Sequence, residues 1–140
     1  MSDICSIKPL INKLGIKSGH KIFIAQPPEN YLIELGELPD KVIKSNKLIT
    51  NLDFIHFFTK EIIELEQYFP KLNNYLRNNG ALWISWPKQK SKIKTDLNEN
   101  IVREIGLKNG LVDVKVCAIN DIWSGLKFVY RIKDRTPTKN

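Results

Sequence analysis

The sequence predicts an α/β fold, with a mostly parallel sheet covered by helices on both faces and closed by an antiparallel hairpin. Short apolar runs rich in β-branched and aromatic residues, at 21–25, 53–58 and 81–86, are typical of buried strands. Amphipathic segments separate them, and such alternation indicates a parallel sheet in a three-layer arrangement. Two segments with period-two alternation, 111–118 and 126–132, end the chain and predict the hairpin.

The elements between the first two of these strands are short. Residues 9–16 carry apolar side chains at positions 10, 11 and 14, which predicts a short amphipathic helix before the first strand. Pro27 and Pro28 end that strand, because proline cannot donate to a sheet ladder. A second short helix is predicted at 31–36 and a short edge strand at 41–44.

The longest predicted helix begins after Thr59, which can cap it, and ends at the left-handed cap expected for Gly80. Its apolar positions step by three and four residues, as one core-facing stripe requires: Ile62, Leu65, Phe69, Leu72 and Leu76. Pro70 lies inside this helix and predicts a kink or a break. The last helix begins at a capping box formed by Asp96 and Glu99 and ends before Gly110.

Length and composition predict one domain, at 1–133, followed by a disordered polar tail at 134–140. The net charge is +7, and the cations are eighteen lysines and four arginines. Because sites that read phosphates usually recruit arginine, this balance favours a solvated basic surface over a nucleic-acid site. Without a membrane-length apolar run or an export signal, we expect a cytoplasmic protein whose Cys5 and Cys117 are reduced thiols.

The order of elements resembles the Rossmann-like methyltransferase fold, whose last strand inserts antiparallel beside the strand before it. By that resemblance, 126–132 lies between 81–86 and 112–118. Enzymes of that class hold the methyl donor with a glycine-rich loop, an acidic residue after the second strand and a polar motif after the fourth. Here the loop at 25–30 has two prolines and no glycine, and neither 44–46 nor 57–59 supplies a carboxylate. The resemblance therefore implies the fold without its cofactor.

No catalytic or metal-binding motif replaces that site, and His56 within an apolar strand predicts a core residue. Polar residues beside aromatics mark a candidate site for an anionic small ligand at the strand edge. They are Trp86, Lys88, Arg103, Asp113, Lys115, Asp121, Trp123, Ser124 and Lys127. The favoured alternative is structural: Asp113 pairs with Lys127 or Arg103 to hold the hairpin, and the tryptophans are core.

Four motifs together resemble a bacterial family called domain of unknown function 3052. They are GALWISWPK at 80–88, DLNE at 96–99, GLVDVKV at 110–116 and WSGLK at 123–127. The resemblance extends over most of the chain and is strongest after position 80. It implies a small bacterial cytoplasmic protein and brings no catalytic residues with it.

The sequence thus favours a methyltransferase-like binding or regulatory module without catalysis. One alternative is an enzyme that acts on an anionic small molecule at the strand edge around Trp86 and Lys88. A further alternative is a weak nucleic-acid contact through the lysines of 88–94, although a solvated loop is favoured for that segment.

Overall fold

The structure, a computed structural model, describes residues 9–135. Six strands form one sheet, in the spatial order β2-β1-β3-β4-β6-β5. The strands are β1 (Lys21–Ala25), β2 (Ile43–Ser45), β3 (Leu52–Phe58), β4 (Leu76–Pro87), β5 (Leu111–Ala118) and β6 (Trp123–Tyr130). The pairs among β2, β1, β3 and β4 are parallel, whereas β6 runs antiparallel to both β4 and β5. The predicted mostly parallel sheet and the insertion of the last strand are confirmed.

Helices cover both faces of this sheet, as predicted. The α-helices within residues 9–135 are α1 (Leu10–Leu14), α2 (Tyr31–Leu35), α3 (Ile62–Tyr75) and α4 (Glu99–Lys108). The apolar residues of α3 and α4 pack in the core on one face, and those of α1 and α2 pack in the core on the other. Within residues 9–135, no helix is both long and apolar enough to cross a membrane.

The core beneath α3 and α4 contains most of the predicted helix stripe. Leu65, Phe69 and Leu72 of α3 are buried, and the ring of Phe69 meets that of Phe128 edge to face at 5.5 Å. Gly106 of α4 lies against the same Phe128 ring, so close that a Cβ atom at Gly106 would lie 2.1 Å from a ring carbon. The absence of a side chain at this position therefore lets α4 approach β6.

The core beneath α1 and α2 is organised around Trp83 in β4, which is fully buried. Its indole N–H donates to the carbonyl of Leu14 at 3.0 Å, at the end of α1. A five-residue helix is too short to be stable by itself. This hydrogen bond and the burial of Leu14 hold α1 on the sheet.

The boundary between the long helix and the central strand differs from the prediction. The helix α3 ends at Tyr75, and β4 begins at Leu76, so that Gly80 lies within the strand and does not cap the helix. A Cβ atom at Gly80 would lie 3.0 Å from the carbonyl oxygens of Leu52 and Asp53, where the β3–β4 register shifts. The glycine therefore permits close approach of the two strands, and no local pattern distinguishes that role from a cap.

Two further local predictions concern the helices. Pro70 lies inside α3 without splitting it in two, because it is on the exposed side, where water can satisfy the carbonyl it leaves unpaired. Asp96 does not cap α4; its carboxylate accepts from the N–H of Ile62 at the start of α3. Asn98 caps α4 by accepting from the N–H of Ile101 at 2.9 Å.

The final strand is also displaced from its prediction. It spans 123–130 rather than 126–132, because the side chain of Asn120 accepts from the N–H groups of Ile122 and Trp123 and tightens the turn. Ile132–Asp134 form a single 3₁₀ turn. Of the predicted disordered tail, residues 136–140 lie outside the described residues.

The packing of α4 on β6 can be tested with Gly106→Ala. Alanine normally favours a helix by about 1 kcal/mol over glycine, but the clash with Phe128 should reverse that sign. We expect a loss of about 1–3 kcal/mol in the free energy of unfolding, measured by urea denaturation. Glu104→Ala, on the exposed side of the same helix, is the matched control and should change stability by less than about 0.5 kcal/mol. A stabilised Gly106→Ala variant would contradict the close packing.

Candidate functional site

Three clefts lie side by side at the edge of the sheet where the parallel strands end. In open α/β sheets this edge binds ligands, particularly where the strand order reverses. The reversal here is at β1, because the chain continues to β2 on one side of it and to β3 on the other. We call the three clefts the switch-point cleft, the Trp86 cleft and the hairpin cleft.

The switch-point cleft, of about 480 Å³, lies beyond the ends of β1 and β3. Gln26, the residue after β1, has a left-handed backbone with φ of 57°. Its side-chain amide donates to the carbonyl of Phe58 at 2.7 Å and to the carboxylate of Glu64 at 3.3 Å. The hydroxyl of Thr59 donates to the same Glu64 oxygen. Gln26 thus bridges the loop after β1 to the end of β3.

The Trp86 cleft, of about 450 Å³, lies beyond the ends of β4 and β6 and beside the segment 95–99 that leads into α4. Trp86 is buried in its floor, and Ser124 is its partner across the β4–β6 ladder. Lys88 follows β4, and its backbone N–H donates to the carbonyl of Ile122. Burial, followed by repulsion from Lys90, lowers the pKa of the Lys88 ammonium, whereas Asp121 acts in the opposite direction.

The hairpin cleft, of about 520 Å³, adjoins the switch-point cleft, with which it shares Pro28 and Trp123. The amide of Asn120 donates to the carboxylate of Glu34 at 2.9 Å and joins the hairpin turn to α2. Asp121 also lines this cleft. Its charged lining is therefore entirely acidic, whereas the lining of the Trp86 cleft combines Lys88 with the carboxylates of Asp96 and Glu99.

The nine residues predicted for a ligand site are spread over different parts of the fold. Trp86, Lys88 and Ser124 meet in the Trp86 cleft, while Asp121 and Trp123 line the adjoining hairpin cleft. The five residues nevertheless share the carboxyl edge of the sheet, as the sequence predicted for the neighbourhood of Trp86.

The other four predicted residues lie away from that edge. Arg103 pairs with Asp113 at 2.9 Å and with Glu99 at 2.6 Å, which fixes α4 to β5 as the structural alternative proposed. The remaining two are lysines on the sheet face that carries α1. Lys115 donates to the carbonyl of Lys13 at 3.1 Å, and Lys127 lies beside Gly15.

A buried chain of three polar side chains was not predicted. Nδ1 of His56 is 2.8 Å from the hydroxyl of Tyr31, and Nε2 is 2.8 Å from the hydroxyl of Ser85. All three residues are 0% exposed, and burial lowers the pKa of His56 to about 3. The sequence signal was a single polar residue within each of two apolar strands. The closed surroundings make this chain structural, since no substrate can reach it.

Cys117 is buried and disulfide-bonded, whereas the sequence predicted a reduced thiol. The other cysteine of the sequence, Cys5, lies outside the described residues. Cys117 is therefore not a candidate nucleophile. Among residues 9–135, no group of three or more histidine, cysteine, aspartate or glutamate side chains could hold a metal ion.

No protein-family model matches this sequence, and no curated protein sequence matches it either. Similar solved structures include a putative type 11 methyltransferase from Sulfolobus solfataricus, with a TM-score of 0.63, 16% identity, and coverage of 94% of this chain and 95% of that one. The chain has a methyltransferase-like fold. A SAM-dependent methyltransferase from Aquifex aeolicus has a TM-score of 0.56, 17% identity, and coverage of 85% and 86%. Magnesium protoporphyrin IX methyltransferase from Synechocystis PCC 6803 has a TM-score of 0.57, 11% identity, and coverage of 87% and 74%.

The methyltransferase-like fold makes the loop after β1 the place to examine for methyl-donor binding. In this chain that loop is Gln-Pro-Pro-Glu-Asn, at 26–30, and two of its five residues have no N–H group. After β2, the hydroxyl of Ser45 donates to the carbonyl of Lys47, and no carboxylate is present at 44–46. These residues do not supply the backbone N–H groups and the carboxylate that bind a methyl donor in this fold.

The pKa of His56 predicts how stability depends on pH. The unfolded chain binds a proton at this site below about pH 6.5, and the folded chain does not until about pH 3. Stability from this source is therefore complete above pH 6.5 and is lost as the pH falls towards 3, by about 1.4 kcal/mol per pH unit in the middle of that window. Urea unfolding between about pH 7 and pH 4 measures the slope.

His56→Gln separates this effect from the protonation of carboxylates, which both proteins share. The variant should be less stable at neutral pH, because Tyr31 and Ser85 lose their partner, but its stability should fall less steeply with acid. Equal slopes for the two proteins would mean that His56 does not account for the effect.

Proposed function

We propose that this protein is a methyltransferase-like binding module that transfers no methyl group and holds a small anionic ligand in the Trp86 cleft. The observation that carries the proposal is the bridge made by Gln26 across the switch point. In this fold the methyl donor needs a flexible backbone that approaches it closely and donates N–H groups. Here the loop instead carries the side chain of Gln26, which is hydrogen-bonded to other groups of the protein.

The bridge opposes a donor by two effects. A ligand at the end of β1 would have to displace the hydrogen bonds from Gln26 to Phe58 and Glu64. Each displaced group would have to find a new partner, at a cost of about 1–3 kcal/mol if it did not. Glu64 of α3 also lines this cleft, and its carboxylate would repel the carboxylate of an amino-acid-like donor.

The Trp86 cleft has the chemistry for an anion. Lys88 supplies a partly dehydrated ammonium group, which attracts an anion more strongly than one in bulk water. Ser124 supplies a hydroxyl donor, and the indole of Trp86 forms an apolar floor. Two carboxylates also line the cleft, and both already have partners: Asp96 accepts from the N–H of Ile62, and Glu99 pairs with Arg103.

The first test asks whether the protein binds S-adenosylmethionine. We expect millimolar S-adenosylmethionine to leave the melting temperature unchanged and to give no saturable heat in calorimetry. A ligand present at about 100 times its Kd would stabilise the fold by about 2.7 kcal/mol, which such an assay detects readily. Saturable binding would overturn the non-catalytic part of the proposal, and methyl transfer to any acceptor would do so directly.

The second test asks where a small anion binds. Inorganic phosphate, citrate and a nucleoside monophosphate would be titrated while the three indole N–H signals are followed by NMR. We expect the Trp86 signal to shift, and Lys88→Gln to weaken that binding by at least about tenfold, because it removes a charged hydrogen bond. Lys94→Gln, on the exposed loop, is the control. Equal effects of the two substitutions would argue against the cleft.

A further inference from the structure

A second group of basic residues lies on the sheet face that carries α1, apart from the carboxyl-edge clefts. It consists of Lys13, Lys17, Lys115 and Lys127, which we call the α1 lysine patch. Lys115 and Lys127 are direct partners across the β5–β6 ladder, so their side chains leave the same face of the sheet. None of the sequence patterns grouped these four residues, because they come from three separate segments.

Two of the four lysines also fasten α1 to β5. The ammonium of Lys115 donates to the carbonyl of Lys13, and the ammonium of Lys13 donates to the carbonyl of Ala118 at 3.2 Å. These bonds fix the ammonium groups of Lys13 and Lys115 on the surface beside α1. Lys115 and Ala118 are three strand residues apart, so the patch spans about 10 Å along β5.

Lys127 is the unusual member of the patch. It is half-buried beside Gly15, and its ammonium would lie 3.8 Å from a Cβ atom at that position. Within residues 9–135 this ammonium makes no hydrogen bond or ion pair. Burial, then repulsion from Lys115 and Lys17, lowers the pKa of Lys127, and no carboxylate among residues 9–135 opposes that effect. A half-buried cation beside other cations is unfavourable unless an anion joins it.

We propose that the α1 lysine patch binds the phosphate backbone of a nucleic acid. The patch is wider than one phosphate group, and two of its four charges, on Lys13 and Lys115, are held in place by hydrogen bonds between α1 and β5. The scarcity of arginine disfavours a site that grips phosphates with bidentate forks, but a lysine ammonium still attracts a phosphate as a point charge and carries no readout of base edges. Binding is therefore independent of sequence and weakens steeply with salt.

Lys88 extends this positive surface towards the Trp86 cleft, since Lys13 is close enough to repel it. The patch is nevertheless a separate site, because Lys17 and Lys127 do not line that cleft. Variants at these two positions leave the proposed small-anion site intact. The two proposals can thus fail independently.

The test uses the full chain and a labelled single-stranded RNA of about 20 nucleotides in mixed and homopolymeric sequence, followed by fluorescence anisotropy at several salt concentrations. The double variant K17Q/K127Q removes two positive charges and leaves the hydrogen bonds between α1 and β5, which Lys13 and Lys115 make, in place. We expect its affinity to fall by at least about tenfold and the magnitude of the slope of log affinity against log salt to fall by about 1.4, since each lost contact with a single strand removes about 0.7. K44Q/K108Q, with two exposed lysines elsewhere, is the charge-matched control and should lose less.

A stability measurement accompanies the binding data. Because Lys127 is half-buried without a partner among residues 9–135, K127Q should keep or raise the melting temperature while it weakens RNA binding. If Lys127 served only to stabilise the fold, K127Q would lower the melting temperature and leave RNA binding unchanged. The proposal is overturned if wild-type protein does not bind RNA, if the two double variants lose affinity equally, or if only vesicles containing phosphatidylserine bind through this patch. Competition by inorganic phosphate alone, with no RNA binding, would also reject a nucleic-acid backbone as the ligand.

Discussion

The interaction on which the centre of this fold depends is the hydrogen-bonded chain through His56. Its two ring nitrogens contact Tyr31 of α2 and Ser85 of β4, and its own backbone lies in β3. All three side chains are buried, and each would leave an unsatisfied polar group if its partner were lost. One imidazole therefore sets the position of α2 relative to two central strands. The same burial keeps the ring neutral, which makes the fold sensitive to acid.

The next constraint is the way β4 divides the sheet. It pairs in parallel with β3 and antiparallel with β6, so the carboxyl end of β4 adjoins the beginning of β6. That junction brings Trp86 next to Ser124 and places Lys88 against the hairpin turn. The Trp86 cleft is a direct product of this reversal. At the neighbouring switch point, the side chain of Gln26 links the end of β1 to the end of β3 and to α3. The polar groups of the switch-point cleft are therefore bonded to one another.

In the folded protein, lysines also form two separate surfaces. Lysines near one another in sequence, at 88–94, extend from an exposed loop, and only Lys88 lines the Trp86 cleft. Lysines distant in sequence, such as Lys17 and Lys127, converge on the face beside α1. Charge repulsion within that second group is unfavourable, and a polyanion would relieve it. The net charge alone could not distinguish these arrangements, because it carries no information about position.

The sequence by itself determined the strands, their parallel and antiparallel parts and the helices on both faces, because apolar periodicity reports burial directly. It also marked the carboxyl edge near Trp86, where five of the nine predicted site residues lie. Tertiary structure alone decided the role of Gly80, which local rules assign to a helix cap but which permits close approach of β3 and β4. It also decided which charges meet: Arg103 with Asp113, and Lys127 with other lysines. Such pairings depend on distances between segments far apart in the chain, and no local pattern contains those distances.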